Sequence, residues 1–182
     1  MSKTYPSISI SKLDAAQRQL RTAITLWFND GDPVSIHTLA HAAYEIIHFI
    51  SRKRGVSRDL LFDALIIKDE YQGYWAKLIK QPGNFFKHAN NDPDATIDFK
   101  PVASEAFIFF SIIALQLMGE PADDEESAFI SWLCFHQPEL LSDIGRERFI
   151  DSVPAEDLEG IKCLSKPEFF QALKYIRLRR GY

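Results

Sequence analysis

Residues 33–55 read P-V-S-I-H-T-L-A-H-A-A-Y-E-I-I-H-F-I-S-R-K-R-G, and the spacing of their apolar side chains decides the fold. Ile36, Ala40, Ala43, Ile47 and Ile50 fall within an arc of about 80° when successive residues turn by ~100° around a helix axis. Leu39 and Ile46 widen that face, and only the side carrying Thr38, Glu45 and Arg52 is plainly polar. A helix this apolar is expected to be covered by neighbours over most of its surface. Its ends are marked too. Asp32 can cap the first turn, and Pro33 takes the first helical position, where the N–H has no partner anyway. R-K-R meets the negative end of the helix dipole, and Gly55 supplies the stop.

The same period extends in both directions. Upstream, Ser11 and Asp14 have capping-box spacing, and Leu13, Ala16, Leu20, Ile24 and Trp27 recur at three- and four-residue steps before N-D-G-D-P ends the helix. Downstream, Ser57 can open a helix through L-L-F-D-A-L-I-I to about Lys80, which Pro82 and Gly83 are expected to interrupt. Residues 89–100 are rich in turn formers and read as loop, with Thr96 to Phe99 the one stretch where a short strand pairing is conceivable. Val102 to Met118 is a continuous apolar helix, and another follows from Asp123 to just before Pro138. Residues 139–164 read as short helical pieces, and Ser165 with Glu168 opens a last helix that closes on R-L-R-R-G. The expectation is an all-α bundle of five to seven helices in one domain over 1–182. Its first ten residues lie outside the bundle, and 139–182 form a C-terminal helical extension.

Composition agrees with a well-filled core. The chain has 182 residues, 46% hydrophobic and 25% charged, which excludes a largely disordered protein. A net charge of −4 gives no global attraction to nucleic acid or to an anionic membrane, so any such binding must use a local patch. The apolar segment 102–118 contains Ser104, Glu105, Ser111 and Gln116 and is shorter than the roughly 20 residues that span a bilayer. No membrane partner is expected. Cys134 and Cys163 form no C-x-x-C pair, and the first residues lack a signal-like apolar run, so the expected address is the cytoplasm.

Chemistry-bearing side chains concentrate in two places. His37, His41 and His48 lie within about 40° of one another along one edge of the 33–54 helix, with Tyr44 among them. His37 and His41, four apart, have the spacing at which two imidazoles reach one metal ion, and Glu45 with His48 makes an E-x-x-H pair. No second E-x-x-H and no H-E-x-x-H exists, so these side chains read first as core or interface groups hydrogen-bonded to neighbouring helices, with a metal site as the alternative. No organic cofactor fingerprint is present; a divalent metal is the one group these residues suggest. At a dimer interface the three imidazoles would weaken association toward acid pH.

The second place is Q-P-G-N-F-F-K-H-A, residues 81–89. Asn84 and His88 are four apart and can face one way on a helical turn. Lys87 stands beside them, and Phe85 and Phe86 can anchor that turn. Local capping accounts for the same pair, with Asn84 opening the turn and His88 closing it. This N-x-x-x-H after a long helix resembles the R-N-x-x-x-H signature of the HEPN helical-bundle superfamily, over about Leu13 to Lys100. The resemblance implies a homodimer and, in ribonuclease members, metal-independent RNA cleavage by Arg and His from both protomers. His88 would then be the acid–base group, with Asn84 orienting backbone or substrate. The arginine of the signature falls on Gly83, so its charge would have to come from elsewhere, with Lys80 or Lys87 as candidates. The chain also resembles a group of uncharacterised bacterial proteins sharing I-T-L-W-F-N-D-G-D-P-V-S-I-H-T-L-A and N-F-F-K-H-A, a likeness that implies no activity.

Arg52, Lys53, Arg54 and Arg58 cluster at one helix end, and Arg177, Arg179 and Arg180 at another, where the helix dipole alone favours them. Lys80, Arg52, Arg54 and Tyr44 are the candidates for holding a ligand. Three functions are expected from these residues. The first is a non-catalytic HEPN-like module binding a nucleic acid, nucleotide or protein partner. The second is a ribonuclease using His88, and the third a metal-binding bundle using His37, His41, Glu45 and His48.

Overall fold

The computed structural model describes residues 6–56, 68–89, 92–151 and 153–180. Among them are eight α-helices: α1 (Lys12–Phe28), α2 (Pro33–Lys53), α3 (Asp69–Phe85), α4 (Ala103–Leu117), α5 (Asp124–His136), α6 (Asp143–Phe149), α7 (Ala155–Cys163) and α8 (Lys166–Arg180). A short 3-10 turn, Pro138–Leu140, follows α5, and no strand occurs among the described residues. The fold is all-α. The count exceeds five to seven because the short helical pieces expected over 139–164 are themselves separate helices, α6 and α7. Thr96 to Phe99 is unpaired chain.

The expected caps form. Asp14 N–H donates to Ser11 Oγ at 3.0 Å, and Ser35 N–H donates to Asp32 Oδ2 at 2.7 Å. Gly55 takes a φ of 70°, as a glycine stop should. At α5 the side chains of Asp123 and Glu126 cap each other's backbone N–H groups. At Ser165 the Glu168 carboxylate accepts from both the backbone N–H (2.8 Å) and the hydroxyl (2.6 Å).

Helix α2 packs between α1 and α4, and Ile36, Ala40, Ala43 and Ile47 are buried along it. At the far side of α1 an aromatic group joins it to α5 and α8. Phe28 stacks on Phe170 with ring centroids 4.5 Å apart, and Trp27 meets Phe129 edge to face at 5.0 Å. No helix among the described residues is long and apolar enough to cross a membrane.

Two departures matter for the site. Helix α3 is not interrupted at Pro82 and Gly83. Pro82 lies in its last turns, where Phe86 N–H donates to the Pro82 carbonyl at 3.0 Å and carries the helix on to Phe85. The helix also starts later than expected, at Asp69 after a non-helical Lys68, so it is not continuous with a start at Ser57; Ser57 and Arg58 themselves lie outside the described residues. The second departure is in α4: its apolar run predicts Phe110 as a core side chain on a par with Ile47, but Phe107 fills the core while Phe110 is half-buried beside an apolar groove. Ile47→Ala should therefore cost ~2–5 kcal/mol by leaving a cavity, and Phe110→Ala clearly less. Urea unfolding of both variants checks that order.

Candidate functional site

The histidine edge of α2 faces inward. His37, His41 and His48 are at most 2% exposed, and Tyr44 is fully buried among them. The cover of His37 and His41 comes from distant sequence: Phe107 of α4, and Phe86 and Phe99 from the chain between α3 and α4. The His37 ring lies 4.9 Å from Phe99, 5.3 Å from Phe107 and 5.8 Å from Phe86. His41 lies 5.0 Å from Phe107. One polar contact of His41 is with Lys87, whose Nζ stands 3.4 Å from His41 Nδ1. An ammonium can only donate, so this contact makes Nδ1 the unprotonated nitrogen. His37 Nδ1 shares a hydrogen bond of 3.1 Å with the buried Ser104 hydroxyl, while its Nε2 finds no such partner and faces the aromatic rings.

Burial sets the protonation state of this pair. Desolvation is the main reason that His37 and His41 are both held down to about 4, with the charges of Lys87 and Lys80 adding to it at His41. Both are neutral over the ordinary pH range. The two rings are 6.0 Å apart and tilted by 30°. Among the described residues no group of three or more His, Cys, Asp or Glu side chains gathers as a metal ion would need. Glu45 is half-exposed and stands 4.0 Å from Lys87 Nζ.

Gly83 explains how α3 comes so near. A Cβ at this position would lie 2.7–2.8 Å from three ring atoms of His41. The absent side chain is the space that the imidazole occupies, so the position matching the HEPN arginine points into the interior and packs against α2.

The neighbouring face of α3 is open. Lys77, Lys80, Gln81, Asn84, Phe85, His88 and Asp92 line a surface groove of about 570 Å³. Asn84 is exposed in the last turn of α3, and His88 N–H donates to the Asn84 carbonyl at 3.1 Å. The fold thus brings together Lys80, Asn84 and His88 of the expected site. Lys87 is excluded and turns toward His41 and Glu45. The remaining expected ligands do not join the groove. Tyr44 is core, Arg52 is exposed at the end of α2, and Arg54 Nη1 donates to Glu120 Oε1 at 2.9 Å. Lys77 and Gln81 are the groove residues that sequence reasoning missed. Their spacing of seven and three residues from Asn84 marks one helical face, visible once the helix is carried through Pro82.

Comparison with protein-family models, with curated proteins and with solved structures finds no match.

Proposed function

We propose that the protein is a non-catalytic HEPN-like helical module that binds the phosphodiester groups of a nucleic acid or nucleotide along the α3 groove. The observation carrying this reading is the groove itself, in which Lys77 and Lys80 stand along one helix face with Asn84 and His88. Ammonium groups attract phosphate regardless of sequence, and amide and imidazole groups add hydrogen bonds. Cleavage would need a second group beside the His88 acid–base function, a cation on the phosphate as charge develops. Among the described residues no arginine lines the groove, Gly83 faces inward and Lys87 is engaged elsewhere. Losing such an electrostatic donor typically lowers a rate by about 10²–10³. The HEPN likeness also implies a homodimer, which light scattering would report as twice 20.9 kDa.

The test is a fluorescence titration of labelled mixed-sequence RNA together with a gel of the same RNA after incubation. The expected result is salt-dependent binding, weakened by Lys77→Ala and Lys80→Ala with a shallower salt slope, and RNA left intact. Absence of binding at low salt would end the reading. Robust cleavage, abolished by His88→Ala in a variant that stays folded, would make the ribonuclease reading the right one.

A further inference from the structure

At the other end of the bundle, the end of α1 and the starts of α2, α4 and α8 enclose a pocket of about 270 Å³. We propose that this pocket is a binding site for a small organic ammonium ion, with Lys166 as a built-in occupant that such a ligand displaces.

Trp27 forms the wall that recommends this chemistry. Phe28, Phe129 and Trp132 pack around it, with rings inclined to the indole by 67–83°. Its Nε1–H donates to Glu105 Oε1 at 3.1 Å. The π face is left for a cation, and Lys166 Nζ sits 3.8 Å from the ring centroid. The same ammonium is 4.0 Å from Asp30 Oδ1. The pocket therefore holds one aromatic face and two carboxylates against a single ammonium, and negative charge remains with Lys166 in place.

Two features go beyond what a lysine tying α8 to α1 requires. The first is room: a water molecule takes up about 30 Å³ of liquid, so the pocket accommodates a ligand of several heavy atoms. The second is the rim. Asp30 holds a left-handed φ of 49°, a conformation that costs a non-glycine residue energy. The next residue packs closely, since a Cβ on Gly31 would lie 3.1 Å from the Leu26 carbonyl oxygen and 3.2 Å from the Leu26 side chain. This tight turn holds the Asp30 carboxylate at the mouth of the pocket. Lys166 can leave easily, since its side chain is 29% exposed and its stem is flexible. The site is independent of the α3 groove.

The indole N–H resonances of the full-length protein read the site, with Trp27 assigned by its loss in Trp27→Phe. Tetramethylammonium chloride is the probe, sodium chloride at matched ionic strength the control, and tert-butanol the uncharged isostere. The ammonium ion is expected to shift the Trp27 resonance, and Lys166→Met to tighten binding by about tenfold or more, as a competing cation is removed. Glu105→Gln keeps an acceptor for Trp27 Nε1 and is expected to weaken binding several-fold. The proposal is overturned if Lys166→Met binds no tighter than wild type, or if tert-butanol shifts the Trp27 resonance as far as the cation does. Should Glu105→Gln fail to fold, the Lys166→Met comparison alone decides.

Discussion

Gly83→Arg is expected to destabilise the protein and to leave RNA uncut. Restoring the arginine of the HEPN signature would be the obvious way to revive a degenerate nuclease, yet here the position faces α2. The first added carbon would lie 2.7 Å from His41 Cγ. That ring is buried and held between Phe107 and Lys87, so it cannot yield without moving its neighbours. Overpacking of this kind costs ~1–3 kcal/mol. The guanidinium adds a further cost, because it must enter an interior that already holds two desolvated imidazoles and the Lys87 ammonium. Together these are a large part of an ordinary domain's stability of about 5–15 kcal/mol. Gly83→Ala isolates the steric share and should be the milder variant. Urea midpoints in the order wild type, Gly83→Ala, Gly83→Arg would bear this out. An arginine variant as stable as wild type and active on RNA would refute it.

That outcome also shows where sequence reasoning succeeded and where it stopped. The α2 face was legible because periodicity is local: each apolar position is fixed by its neighbours three and four residues away. The stops at Asn29–Pro33 and Gly55 were legible for the same reason. Pro82 misled because a proline removes one backbone hydrogen bond without always ending a helix. The Pro82 carbonyl still accepts from Phe86 N–H at 3.0 Å, the helix continues to Phe85, and the face from Lys77 to Asn84 survives. The histidine edge was correctly drawn, but its cover was not, since Phe86, Phe99 and Phe107 lie 49–70 residues from the His37 and His41 imidazoles they pack against. Lys87 stands between Asn84 and His88 in sequence, yet it points the other way. It follows the helix end, where direction is set by tertiary contacts.

The burial of His37 and His41 predicts a specific acid weakness. Each imidazole titrates near 6.5 in the unfolded chain and at about 4 in the fold. Between those values the unfolded state holds protons that the folded state refuses, so stability falls as pH drops below 6.5 and levels off below about 4. At full effect a shift of this size is on the order of 3 kcal/mol per histidine, less where the two rings share the penalty. The expected effect is on folding, because the imidazoles lie inside the protomer and a dimer contact through them is not available. One group opposes the trend. Burial, with Asp123 beside it, raises the Glu126 carboxyl from 4.5 to about 7, so this residue removes stability as pH rises through that window. From pH 6.5 down to 4.5, unfolding of the wild type should therefore take up about one net proton: two to the histidines, less one released by Glu126. Glu126→Gln keeps the capping acceptor and loses the charge. Its stability at pH 8 should rise, and its acid slope should steepen toward about two protons. Urea denaturation at half-unit steps from pH 8 to 4 measures both slopes. A wild-type stability that stays flat from pH 7 to 5, with an equally flat Glu126→Gln variant, would mean that water reaches the imidazoles and that the aromatic cover of Phe86, Phe99 and Phe107 does not close over them in solution.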